Sequence, residues 1–156
     1  MTLALDSKIF GQLFKDDDIA GLFDDEAVLR AMFEVEGALA RVEADLGIIP
    51  SSAGKRISDV CRTVELDPQL IGQGTQRDGV PVISMVKNLR NAVGEKAAPF
   101  VHWGATTQDI VDTVTVLQIR SAIQIIEQRM ASLIDRLADL ADRHRTTVFS
   151  GTPDTG

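Results

Sequence analysis

Apolar residues recur at helical spacing along most of the chain. From Asp24-Asp25 onward, Val28, Leu29, Met32, Phe33, Val35, Leu39, Val42 and Leu46 fall mostly on one helix face. The two aspartates and Glu26 suit the positive end of that helix, and Gly47 followed by Pro50 marks its stop. Ser51-Ser52 are placed to cap a second helix running to about Val64, with Ile57, Val60 and Cys61 inside. Asp67-Pro68 is a cap followed by a first-turn proline, so a short helix is expected to about Gly74. Pro81 opens another, with Val82, Met85, Val86, Leu89 and Val93 buried and Gly94 ending it. Ahead of all these, residues 1–23 read as a loosely structured arm with a short helix over 16–22.

A loop with Pro99 and Gly104 follows, and then the pattern changes scale. From Gln108 to about His144 there is no Pro and no Gly, which makes 37 residues, roughly 55 Å of helix at about 1.5 Å per residue. Thr106 or Thr107 is expected to cap it. Its apolar positions include Ile110, Val111, Val114, Leu117, Ala122, Ile123, Ile125, Ile126, Met130, Leu133, Ile134, Leu137 and Leu140. Ile123, Ile125 and Ile126 do not share one narrow face, so other helices are expected to surround this one. The remaining residues are too few to do so, and other subunits or further chain are expected to supply the cover.

Composition agrees with helix packing. Of 156 residues, 44% are hydrophobic but only 4% aromatic, and there is no Tyr, so the core is aliphatic. The net charge of −7 argues against nucleic acid as a partner, yet leaves room for a local anion site. Cys61 is the sole cysteine, which fits a reducing compartment, and no signal-peptide or membrane-spanning run is evident. The expected location is cytoplasmic, with no membrane partner.

Chemistry concentrates in Val101-His102-Trp103-Gly104-Ala105-Thr106-Thr107-Gln108-Asp109, just before the long helix. Gly104 permits a tight turn. Free N–H groups at the helix start and two threonine hydroxyls make a small site suited to a carboxylate. His102 stands close enough in sequence to donate a hydrogen bond or act as an acid beside it. Each residue also has a purely structural role open to it. A threonine there is most often an N-cap, His102 a structural hydrogen bonder, Trp103 a packing anchor, and Asp109 and Asp112 helix-dipole partners. His144, in Asp142-Arg143-His144-Arg145, reads as a solvated helix end. The Asp109–Asp112 spacing does not by itself indicate a metal.

The segment His-Trp-Gly-Ala-Thr-Thr-Gln-Asp followed by Ile-Val-Asp-Thr resembles the first of three signature regions of the fumarase/aspartase superfamily. Lys8-Ile9-Phe10-Gly11 to Phe14, Leu29 through Glu36-Gly37-Ala38-Leu39-Ala40 to Pro50, and Gly79 to Leu89 resemble the approach to it. Adenylosuccinate lyases carry a histidine in the stretch corresponding to Asp78–Ile83. This chain has none, which turns the resemblance toward 3-carboxy-cis,cis-muconate cycloisomerases.

The resemblance implies an all-α fold: an N-terminal helical domain over 1–105, then over 106–156 the first long helix of a central multi-helix bundle. It implies addition across a double bond next to a carboxylate, without cofactor or metal. In the cycloisomerases the reaction is lactonisation of 3-carboxy-cis,cis-muconate to 4-carboxymuconolactone in protocatechuate breakdown. The implied partners are a small tricarboxylate and further copies of the chain, as a homotetramer. Thr106 and Thr107 would hold a substrate carboxylate and His102 would help place the proton. Gln108 and Asp109 would order the turn, and Trp103 would shape the pocket. The second and third signature regions do not occur here, and Phe149–Gly156 departs from the pattern. The chain is therefore expected to be an N-terminal part, inactive alone. An adenylosuccinate-lyase-like β-eliminase and a non-catalytic helical oligomerisation module stand as alternatives.

Overall fold

A computed structural model describes residues 7–65 and 67–148. The first six residues and the divergent tail from Phe149 lie outside them. The elements are α1 (Gly11–Phe14), α2 (Asp17–Ala20), α3 (Asp25–Asp45), α4 (Ser51–Thr63), α5 (Pro68–Asp78), α6 (Pro81–Val93), a 3-10 turn (Ala98–Phe100) and α7 (Thr107–Arg143). No strand occurs among the described residues, as an all-α fold requires. No helix among them is long and apolar enough to cross a membrane. The chain divides into two compact units at Ser121 and Ala122.

Local chemistry sets most boundaries. Asp24 caps α3 by accepting the Ala27 N–H at 2.7 Å. At the other end Gly47 adopts φ 72°, donating to the Ala44 carbonyl, while Ile48 donates to that of Glu43. This Schellman arrangement satisfies two carbonyls the helix leaves open. In the arm, Asp16 caps α2 and the helix proper covers only Asp17–Ala20.

Three expectations shift. Pro50, not a serine, occupies the N-cap of α4, so Ser51 and Ser52 are first-turn residues. Helix α5 runs four residues past Gly74, to Asp78. Gly74 is buried in close approach to Ser84 of α6, and tertiary packing outweighs its poor helix propensity. The left-handed residue that ends α5 is Gly79, φ 77°. Helix α7 begins at Thr107, one residue before the expected Gln108, so of the two threonines expected to cap it Thr106 is the one that precedes it.

In the first unit, α3 and α4 lie antiparallel and very close. A Cβ on Gly37 would sit 3.1 Å from Cys61 Cβ, and one on Gly54 only 2.6 Å from the Ala40 carbonyl oxygen. The core gathers Leu29, Met32 and Phe33 of α3, Ile57 and Cys61 of α4, and Val82, Met85, Val86, Leu89 and Val93 of α6. Val101, Ile110 and Val114 join it. Each such side chain contributes about 1.5–3 kcal/mol by leaving water. Val42 and Leu46, expected on the buried face of α3, are exposed, while Glu36 and Glu43 are buried there instead. The buried face follows 29, 32, 33, 36, 40 and 43 at the 3.6-residue period, and positions 42 and 46 fall off it.

Arginines close the helix ends. Arg30 donates to the Cys61 and Val64 carbonyls at the end of α4. Arg56 donates to Ala92 and Val93 at the end of α6. These carbonyls have no helical partner and carry the negative end of the dipole.

The second unit has no buried residue among those described. Ile123, Ile126, Met130, Leu133, Leu137 and Leu140 follow one another at steps of three and four and are each 48–55% exposed. That is the a/d spacing of a coiled-coil seam. His144, just beyond α7, is exposed, with Nδ1 3.2 Å from the Thr147 hydroxyl.

Two predictions test this packing. In an open helix Gly→Ala gains about 1 kcal/mol, but Gly54→Ala is expected to lose about 1–3 kcal/mol net in urea melts, because α4 must back away from α3. A stabilised variant would show that the close approach is dispensable. Burial pushes the Cys61 thiol from 9.0 up to about 12. Thiol is thus the form that folding favours, and unfolded chains release its proton first. Relative to Cys61→Ala, stability is expected to be unaffected by this group below pH 9. It should fall by up to about 1.4 kcal/mol per pH unit above it. A pH-independent difference between the two proteins from pH 8 to 10.5 would contradict that.

Candidate functional site: the turn between Val101 and Asp109

The turn is anchored from below. Val101 is buried and its carbonyl accepts from Arg90 Nη2 of α6 at 3.2 Å. His102 is the sole non-glycine residue with a positive φ among the described residues, at 60°. That conformation costs an L-residue about 1 kcal/mol, so the surroundings must hold it. They do so through the side chain: His102 Nδ1 lies 2.5 Å from Glu36 Oε1. The Glu36 side chain is 1% exposed and that of His102 15%.

Gly104 also takes a positive φ, 68°, and a Cβ there would stand 3.8 Å from Glu43 Oε1. The turn thus lies over two buried carboxyls, about two turns apart on the same stripe of α3. Glu36 Oε2 and Glu43 Oε2 are both buried without a hydrogen-bond partner. Burial pushes the Glu36 carboxyl up, and His102 and then Arg90 oppose that shift. Burial also raises Glu43, and repulsion from Glu36 adds to it.

The other expected residues have local partners. The Thr106 N–H donates to Asp109 Oδ2 at 2.7 Å, half of a capping box. Gln108 Nε2 donates to Asp112 Oδ1 at 2.6 Å, and Thr113 Oγ1 to the Asp109 carbonyl at 2.6 Å. Trp103 is 47% exposed, its ring 6.1 Å from that of Phe100 and tilted by 48°.

Beside the turn opens a cleft of about 380 Å3, lined by Val82, Ile83, Val86, Lys87, Arg90, His102 and Thr107. Its size suits a small ligand. Of the residues expected from sequence it brings together His102 and Thr107. Thr106, Gln108, Asp109 and Trp103 do not line it. A groove of about 410 Å3 between α5 and α6 is slightly larger, but it contains none of the turn residues. The cleft sets two cations, an imidazole and a hydroxyl at the first turn of α7 beside an apolar wall. That combination recognises carboxylates. No group of three or more His, Cys, Asp or Glu side chains placed to hold a metal occurs among the described residues.

Sequence reasoning missed Glu36, Lys87 and Arg90 as parts of this site. A signal existed for Glu36: it falls on the apolar stripe, three residues after Phe33 and four before Ala40. Nothing in the pattern of α6 marks Lys87 or Arg90, since charged residues on an exposed helix face are ordinary.

Comparison with known proteins bears on the family. The lyase family profile matches residues 13–152. Trans-aconitate decarboxylase 1 of Mycosarcoma maydis is 40% identical over 133 residues, 85% of this chain and 27% of that protein. A 3-carboxy-cis,cis-muconate cycloisomerase of Bradyrhizobium diazoefficiens is 39% identical over 129 residues, 81% of this chain and 29% of the relative. Adenylosuccinate lyase of Methanocaldococcus jannaschii is 34% identical, over 83% of this chain and 28% of the relative. The crystal structure of β-carboxy-cis,cis-muconate cycloisomerase from Acinetobacter calcoaceticus superposes with a TM-score of 0.87 at 34% identity, over 94% of this chain and 35% of the other. The chain spans about a third or less of the length of these relatives. A profile match over most of its residues and a shared helical architecture make this chain a member of the lyase family of the fumarase/aspartase superfamily.

Proposed function

We propose that the cleft beside the turn binds carboxylates of an unsaturated tricarboxylate. The reaction of the whole enzyme would be lactonisation of 3-carboxy-cis,cis-muconate. The observation that carries this is the convergence of Lys87, Arg90, His102 and Thr107 on one cleft of an otherwise acidic chain. Two relatives support the substrate class. The named substrates of the cycloisomerase and of the aconitate decarboxylase are both tricarboxylates with a carbon–carbon double bond.

In that reaction a substrate carboxylate oxygen bonds to an alkene carbon. The π pair moves toward the neighbouring carboxylate, giving an enolate-like anion, and carbon then takes a proton. Donors fixed before the charge develops stabilise it best. Arg90, tied to the Val101 carbonyl, and the first turn of α7 would be such donors once enclosed, with Lys87 adding charge and Thr107 setting the orientation. His102, at the edge of the cleft, holds the position from which a proton is placed. Gln108 and Asp109 keep the proposed role of ordering the turn, with Trp103 shaping its surroundings, whereas Thr106, expected with Thr107 to hold a carboxylate, does not line the cleft and takes a proposed capping role.

Calorimetric titration tests the reading. 3-Carboxy-cis,cis-muconate and trans-aconitate are expected to bind more tightly than fumarate. Lys87→Ala and Thr107→Val should each weaken them about tenfold, the loss of one charge-assisted or neutral hydrogen bond. Preference for adenylosuccinate would move the assignment to a β-eliminase, and indifference to all carboxylates would leave a scaffold.

We further propose that the seam on α7 packs against further copies of the chain. The unbroken three-four spacing is what a like helix would complement. Sedimentation at tens of micromolar should show an oligomer that Leu133→Lys shifts toward monomer. A wild-type monomer under those conditions would refute this.

A further inference from the structure

Glu36 is a carboxylate in the middle of an apolar helix face, and its side chain is 1% exposed. Bare burial of such a group is unfavourable unless a partner answers it. The answer comes from one place, His102 Nδ1 at 2.5 Å, 66 residues further along the chain. The backbone of His102 is meanwhile held at φ 60°, a conformation it does not choose freely. Side chain and backbone are therefore both specified, and together they leave one freedom: which ring nitrogen carries the proton.

A carboxylate only accepts hydrogen bonds. Burial works against the charge on Glu36, but the imidazole and Arg90 oppose that shift; facing the ionised carboxylate, Nδ1 donates and Nε2 becomes the nitrogen left for other work. Arg90, close enough to favour the charged form of Glu36 electrostatically, also lines the cleft together with His102. The nearest other acid on the stripe, Glu43, has its Oε1 toward Gly104, two residues along the turn from His102.

We infer that Glu36 is a positioning residue. It fixes the proton of His102 on Nδ1, against the preference of a free histidine for Nε2, and so offers Nε2 to whatever occupies the cleft. This rests on the proposed role of the cleft for its chemical meaning, but not for its geometry. Glu36 does not itself line the cleft. Its effect is to choose whether His102 meets a substrate carboxylate or carbon as a proton acceptor or, once charged, as a donor.

The chain has only two histidines, so ring-nitrogen NMR resolves the question. Long-range proton–nitrogen spectra of the 15N-labelled chain are recorded from pH 6 to 9. His102 Nδ1 is expected to remain protonated throughout, and His144, exposed beyond α7, serves as the reference ring. In Glu36→Leu, which keeps the bulk and removes the acceptor, the neutral His102 ring should revert to Nε2–H. The His144 signals and the far-ultraviolet circular dichroism should stay unchanged. A wild-type His102 protonated on Nε2 and bare on Nδ1 overturns the inference, as does a folded Glu36→Leu whose His102 keeps the wild-type pattern. If Glu36→Leu does not fold, the wild-type spectrum still decides. No ligand is needed, so failure of carboxylate binding and failure of this inference are read separately.

Discussion

The contact between Glu36 and His102 ties the two parts of the first unit that matter most for chemistry. Helix α3 builds the core, and the turn before α7 builds the site. A carboxyl fixed inside the core determines where a strained backbone residue at the surface must lie. Removing either partner would strand the other: a buried acid without an answer, or a left-handed histidine without a reason. Buried pairs of this sort seldom add net stability compared with apolar replacements, because desolvation offsets the attraction. What they give is a single arrangement. Here that arrangement is the orientation of an imidazole at the lip of a cleft.

The rest of the first unit is consistent with holding that lip still. Gly37 and Gly54 let α3 and α4 approach until side chain meets backbone, which fixes the stripe bearing Glu36. Arg56 ties α4 to the end of α6, and Arg90 ties α6 to the carbonyl just before His102. Helix α3 thus holds His102 itself, α6 holds the residue before it, and α4 braces both helices. Arg90 both supports the turn and lines the cleft, so anchoring and ligand recognition are coupled through one guanidinium.

Much of this was legible in the sequence, for physical reasons that also explain the rest. The buried face of α6 was readable because Val82, Met85, Val86, Leu89 and Val93 keep helical spacing and nothing polar interrupts them. Helix α3 was harder. Its stripe includes two glutamates, and a pattern of apolar letters passes over them in favour of Val42 and Leu46, which lie off the face. The end of α5 was misjudged because a glycine in a helix signals a stop unless something packs on it, and Ser84, ten residues away, is invisible to local reading. The turn itself stood out by its residue types, but its partner Glu36 depends on how the chain closes 66 residues apart. Lys87 and Arg90 carry no local mark at all.

The cleft and the chemistry proposed for it place different demands on the protein. Binding a polyanion needs cations and N–H donors on one surface, and Lys87, Arg90 and the start of α7 provide them even in a chain of net charge −7. Stabilising an anion that exists only in a transition state asks for more: donors must act where water has been excluded, since the same charges interact several-fold more weakly in a solvated setting. Lys87 and Arg90 are exposed. On the proposed reading the open cleft answers the first demand, and turnover would need further surfaces to close over the cations. The seam of exposed aliphatic residues on α7 makes the parallel statement for the fold, since its burial also needs further surfaces. On that reading recognition and catalysis separate: the residues proposed to hold a carboxylate line one open cleft, and the dry enclosure that would make them catalytic would be built around them.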